Sequence, residues 1–157
     1  YLANSSSIKV GVTRKSQVPT RWIDQGAHKA IEIVEVPNRY LAGITEVALK
    51  DFVSDKTSWR KMLQNDIEDV DLVEWRNKLK ASIPEEAIEY FLNDKEETHL
   101  EFPVLQYPNK VNSLNLEKTP SYKGVLKGIK GQYLIFEDNT VFNVRGSEGY
   151  FVGIDFK

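Results

Sequence analysis

Two groups of basic residues in this chain have the types and spacing to meet phosphates. Arg14 and Lys15 follow directly on the alternating stretch Ile8-Lys9-Val10-Gly11-Val12-Thr13. From the end of a strand they could track a nucleic-acid backbone, although a solvated loop is the simpler account of the pair. Near the other end of the chain, Lys127 and Lys130, together with Lys123, interleave with Tyr122, Tyr133 and the glycines Gly124, Gly128 and Gly131. Cations beside aromatics on a small β-module bind single strands by charge and base stacking. Other chemistries lack their residues. The sequence holds no cysteine, which excludes a disulfide framework, an iron–sulfur site and a Cys-based zinc site within this stretch. His28 and His99 stand alone, without a second ligand at helical spacing. Gly11 is the odd residue of its strand, because glycine weakens a strand unless another backbone or a ligand must come close.

At 157 residues the chain suits one ordinary domain or two small ones sharing an interface. A composition of 41% hydrophobic and 28% charged residues is that of a globular protein and excludes wholesale disorder. No apolar run approaches the roughly 18–20 residues of a membrane span, so no membrane partner is expected and a cytoplasmic location is. The net charge of −2 excludes coating of nucleic acid by bulk charge. That charge is uneven, however. The first 50 residues hold seven Lys and Arg against four acids, whereas residues 84–157 hold eight against twelve. A basic N-terminal third can meet phosphates within a slightly acidic chain. The only methionine is Met62 and the first residue is Tyr1, so a fragment of a longer protein is expected.

The elements that must position these residues follow from periodicity and punctuation. Tyr1-Leu2-Ala3, the turn residues Asn4-Ser5-Ser6-Ser7 and the alternation from Ile8 to Thr13 predict a β-hairpin. A short helix is predicted from Arg21 to about Gln25, with Thr20 as N-cap and Gly26 as its stop. A strand over 31–36 ends at Pro37-Asn38. Next comes a helix over about 39–53, capped by Asn38, with an apolar stripe of Leu41, Ile44, Val47, Ala48 and Phe52. Gly43 inside that helix implies close packing, since it costs about 1 kcal/mol relative to alanine. Helices over about 58–64 and 70–81 follow. A further helix should start at Ser82, with Glu85 closing a capping box, and continue to about Asn93. A possible edge strand at 99–102 meets Pro103. From Tyr122 onward four strands are expected, over 124–130, 132–136, 141–145 and 150–156, with most of their aromatics in a core. The chain is read as α+β.

The N-terminal order of hairpin, helix, strand and helices resembles the GIY-YIG nuclease superfamily over about residues 1–65. Tyr1 matches the tyrosine of that pattern's first strand, and Lys9-Val10-Gly11-Val12-Thr13 its second strand. Arg21-Trp22 opens the following helix, and Glu46 lies in Gly43-Ile44-Thr45-Glu46-Val47-Ala48-Leu49-Lys50, like the superfamily's Glu-bearing helix. A closer similarity covers nearly the whole chain. Lys9-Val10-Gly11-Val12-Thr13-Arg14, the run from Pro19 to Ala27 (PTRWIDQGA) and that from Gly128 to Phe136 (GIKGQYLIF) resemble a bacterial family of unknown function. Its members often carry a Cys-rich segment before the first strand, so zinc is implied only for such a preceding segment.

The nuclease resemblance implies phosphodiester hydrolysis. Glu46 and waters would hold one divalent metal, Mg or Mn, to neutralise developing charge. Arg21 would grip the phosphate through its planar fork. Tyr1 would orient or activate water, and Gly11 would let phosphate approach the backbone. Lys9 stands where the pattern has a second tyrosine; it can bind phosphate but is not a phenol. Residue by residue, Glu46 is equally placed to pair with Lys50 at i+4. The expected organisation is a GIY-YIG-like domain at 1–82, a helix and Pro-punctuated connector at 83–120, and a small antiparallel, barrel-like β-module at 121–157. DNA or RNA is the expected partner. A non-catalytic nucleic-acid-binding or regulatory module and a protein-interaction scaffold are the alternatives, the latter because the acidic 84–101 stretch suits no phosphate backbone.

Overall fold

Alternation of apolar side chains on both sides of the buried turn at residues 4–7 folds the start of the chain back on itself. In the computed structural model, which describes residues 1–54 and 56–157, β1 (Leu2–Asn4) and β2 (Ile8–Val10) pair antiparallel with Leu2 opposite Val10. β3 (Lys29–Ile31) pairs with the other edge of β1, and β4 (Thr98–His99) completes a sheet of order β2-β1-β3-β4. A period of two sends Leu2, Ile8, Val10 and Ile31 to one face, where they pack with Leu49 of α2 (Arg39–Leu49) and with Leu72 and Leu79 of α4 (Leu72–Leu79). Tyr1, Ala3 and Ala30 take the other face, against Trp22 of α1 (Thr20–Asp24). Among the described residues no helix is long and apolar enough to cross a membrane.

The turn itself is buried, so its polar groups need protein partners. Asn4 donates through Nδ2 to the Glu68 carbonyl at 2.8 Å, Ser5 through Oγ to the Gln25 carbonyl at 3.1 Å, and the Glu68 N–H to the Ser6 carbonyl at 2.8 Å. Across the ladder from Asn4, Lys29 pairs with Glu97 at 3.2 Å, and Glu97 also accepts from the Leu72 N–H at 2.5 Å. One carboxylate thus neutralises a buried lysine and stabilises the positive N-terminus of α4.

Several expected elements are trimmed by tertiary pairing. The strand foreseen over 31–36 stops at Ile31, and Val34 forms only an isolated bridge to Phe91. That bridge uses the Glu35 N–H to the Tyr90 carbonyl and the Leu92 N–H to the Ile33 carbonyl, 3.1 and 3.0 Å. Because residues 90–92 serve it, α5 (Glu85–Ile88) is a single turn rather than a helix to Asn93, and it starts after Pro84 rather than at Ser82. Asn38 does cap α2, accepting from the Leu41 N–H at 3.0 Å. The stripe of α2 is rotated from expectation, though. Thr45 and Leu49 are the buried residues, while Val47 is 64% exposed. Thr45 tolerates this because its hydroxyl donates to the Leu41 carbonyl at 2.8 Å. Gly43 has no atom within 4 Å of where a Cβ would stand, so the close packing expected there is absent.

The second sheet consists of β5 (Asn112–Ser113), β6 (Leu126–Lys130), β7 (Tyr133–Phe136) and β8 (Thr140–Asn143), in the order β5-β8-β7-β6. It is an open sheet and not a barrel, and β5 runs parallel to β8. One face is covered instead by α3 (Trp59–Leu63): Met62 and Leu63 pack on Ile135 and Val141, and Trp59 stacks on Tyr133 at 5.8 Å. The strand expected over 150–156 does not form, and Phe151 and Phe156 stand in solvent instead of a core.

Lys130 of β6 is 1% exposed. Its Nζ donates to Asn65 Oδ1 at 3.1 Å and lies 5.1 Å from the Tyr107 ring and 5.7 Å from the Phe102 ring. Burial lowers its pKa from 10.5 to about 8. A lysine with a lower pKa folded than unfolded binds fewer protons when folded, so its cost is full below pH 8 and is relieved as pH rises toward 10.5. Lys9, lowered to about 8 by burial and by the like charge of Arg21, acts in the same direction. The urea midpoint should therefore rise between pH 8 and 9.5, and Lys130→Met should remove roughly half of that rise. A midpoint flat across this range would contradict the burial of both amines.

Candidate functional site

The hairpin register decides which candidates meet. Ala3 faces Lys9 and Leu2 faces Val10 across the ladder, so Tyr1, Lys9 and Gly11 share the face that α1 covers. The Gly11 N–H donates to the Tyr1 carbonyl at 3.1 Å and the Tyr1 nitrogen to the Gly11 carbonyl at 3.0 Å, extending the pairing by one residue. The Tyr1 ring meets Trp22 edge-on at 6.0 Å, and its hydroxyl donates to Gln25 Oε1 at 3.0 Å. Helix α1 ends at Gln25 because Gly26, at φ +63°, takes the left-handed conformation that stops it.

Burial raises the pKa of the Tyr1 phenol, against the opposing pull of the Gln25 hydrogen bond and of the Arg21 charge. Arg21 projects from α1 close to both the phenol and Lys9. Lys9 is buried, and its Nζ donates to Thr57 Oγ1 at 2.5 Å. Among the described residues neither Lys9 nor Arg21 is in an ion pair, so two cations and a phenol share one desolvated corner.

Glu46 lies across a cleft of about 730 Å³ whose lining includes Tyr1, Gly11, Arg14, Lys15, Glu35 and Glu46. The Glu46 carboxylate is near enough to act on the phenol through charge, and it also pairs with Lys50 one turn along α2, at 3.9 Å. Arg14 stays exposed on the cleft rim, and Lys15 reaches across to Glu35 at 2.5 Å. The C-terminal basic patch does not gather on one surface. Lys127 pairs with Glu137 at 2.9 Å, and Lys130 is enclosed as described above, out of reach of a phosphate backbone. No group of three or more His, Asp or Glu side chains able to hold a metal occurs among the described residues.

Gly11 has a different role from the one expected. A Cβ there would lie 2.6 Å from the Tyr1 hydroxyl oxygen and 2.7 Å from the ring carbon bearing it. The space above the glycine is therefore filled by the phenol rather than left open for phosphate. Gln25, which holds the phenol, lies in the run from Pro19 to Ala27 with nothing there to single it out, and Thr57, which holds the Lys9 amine, carries no pattern in the sequence that marks it.

The family model described as protein of unknown function (DUF2797) matches residues 1–152. The chain belongs to that family. No curated protein and no solved structure matches it. In this DUF2797 member the residues of the corner all lie within the matched span.

Substitution of the two glycines should separate the packing roles. Gly11→Ala must displace the Tyr1 ring and is expected to lower stability by about 1–3 kcal/mol, as overpacking does. Gly43→Ala, in an open helix position, should raise it by about 0.5–1 kcal/mol. Urea unfolding of both variants checks this, and equal effects would contradict the tight contact at Gly11.

Proposed function

We propose that the corner formed by Tyr1, Lys9 and Arg21 binds the phosphodiester backbone of a nucleic acid. The observation that carries this reading is two cations, neither in an ion pair among the described residues, beside a buried phenol that lines the cleft. Arg21, the more exposed of the two, supplies the planar fork that matches a phosphate. Lys9 behind it adds charge in a partly dry setting, where charge acts more strongly than in water. The order of hairpin, helix, strand and helix, with Tyr1 on the hairpin, Arg21 on the first helix and Glu46 on the second, supports a GIY-YIG-like arrangement for this part of the chain.

Hydrolysis is the weaker form of the proposal. Glu46 is the one carboxylate of the set, it is shared with Lys50, and among the described residues no group of three ligating side chains gathers beside it. These residues do not fit a resident divalent metal, and no hydrolytic step is derived through one. Binding without cutting is the function the geometry supports best.

Fluorescence anisotropy with labelled single-stranded and duplex DNA and RNA tests this. Affinity should fall steeply with salt. Arg21→Ala should weaken it roughly tenfold and make the salt slope shallower by about one. Because Lys9 loses its proton near pH 8, binding by the native chain should fade above that pH, and Lys9→Met should abolish the fade. Binding that ignores salt and both substitutions would sink the proposal. Cutting in Mg²⁺ or Mn²⁺ that Glu46→Ala abolishes would restore the hydrolytic form.

A further inference from the structure

One aromatic pair stands where a helix and the second sheet run out together. Trp59 is the first residue of α3, Tyr133 the first of β7, and Asn143, opposite Tyr133, the last of β8. The two rings stack with centroids 5.8 Å apart and planes 2° from parallel. Further along α3, Met62 and Leu63 are enclosed with Ile135 and Val141, whereas Trp59 and Tyr133 are only half-buried. The stack is the open margin of that core. The Arg60 guanidinium lies over the Trp59 ring, 4.3 Å from its centroid; the residue is exposed and in no ion pair among the described residues. The other tryptophans differ. Lys78, the cation near Trp75, is paired with Glu74 at 2.6 Å, and Trp22 is core.

Two contacts tie this margin to the phosphate corner. Lys9 Nζ donates to Thr57 Oγ1, and Thr57 precedes Trp59 by two residues, so their α-carbons lie within about 7 Å of each other. At the other end of α3, Gly26 closes α1 against Met62: a Cβ on that glycine would stand 2.5 Å from the Met62 sulfur. Arg21 is therefore on a helix whose end packs on α3, and Trp59 lies one turn before the residue it packs on.

We propose that Trp59 is a stacking platform for an unpaired nucleobase, so that the nucleic acid held at the corner is a single strand. Every base has a face that an indole attracts, but a base inside a duplex is paired and already stacked on its neighbours. The incoming base takes the place of Arg60 over the indole, and the freed guanidinium meets a phosphate of the same strand. Tyr133 holds the indole plane in position beforehand, which keeps the ordering cost of binding low. This inference rests on the phosphodiester-binding reading and adds the type of strand to it.

Fluorescence anisotropy with three labelled probes tests it: a DNA single strand, the same backbone with abasic tetrahydrofuran units throughout, and the duplex of the same sequence. The native chain should bind the natural strand roughly tenfold more tightly than the abasic one, with the same salt slope for both. Trp59→Leu should lose that preference and leave abasic and duplex binding unchanged, which also shows the variant to be folded. Trp59→Phe should regain most of it. The two strands are compared first on the native chain, so the result stands even where Trp59→Leu fails to fold. Equal native affinity for both strands, still falling with salt, would overturn the platform and leave the corner standing. A preference for bases that survives Trp59→Leu would overturn the assignment to Trp59. Binding of neither strand would remove corner and platform together.

Discussion

The whole first sheet depends on β1 having no free side. Its two edges are paired and its two faces are covered, so residues 1–6 are held within the protein, with Leu2 and Ala3 wholly enclosed. A buried backbone polar group without a partner costs about as much as a lost hydrogen bond. The turn after β1 therefore recruits carbonyls and amides from residues 25, 28 and 68. Those bonds fix where α1 ends and where the chain leading to α4 crosses. On the face that α1 covers, the Tyr1 phenol meets Gln25 and lies close to Arg21.

Buried amines mark the places where distant segments are locked. Lys29 is neutralised by Glu97, whose other oxygen holds the start of α4, so the pair joins β3, the approach to β4 and a helix. Lys130 has no carboxylate among the described residues; an amide oxygen and two aromatic faces hold it where the Asn65 loop meets β6. A buried charge without full compensation is costly and is weak evidence for stability. Its effect is to make one arrangement of the loop and β6 satisfy the amine, at the expense of alternatives.

The fold and the candidate corner use different parts of Tyr1. The side chain, fitted over Gly11, contributes the phenol that stands beside the two cations. The backbone exchanges hydrogen bonds with Gly11 and lengthens the hairpin ladder by one residue.

The sequence by itself determined the mixed α+β class, the opening hairpin, the Asn38 cap, the Gly26 stop and the β6–β7 pair, because each rests on contacts within a few residues. It also placed Tyr1, Lys9 and Arg21 on elements that meet, since a hairpin and the helix after it leave little freedom between them. Tertiary structure alone decided the rest. β5 has only two residues and no alternation, and it exists because β8 offers an edge. The end of α5 and of the strand foreseen over 31–36 was set by each other. Lys130 resembles a surface cation and Phe151 a core residue until their neighbours are known, and the positions are reversed. Propensity acts along the chain over one or two turns, whereas burial depends on partners up to a hundred residues away, and where the two conflict burial carries the larger free energy.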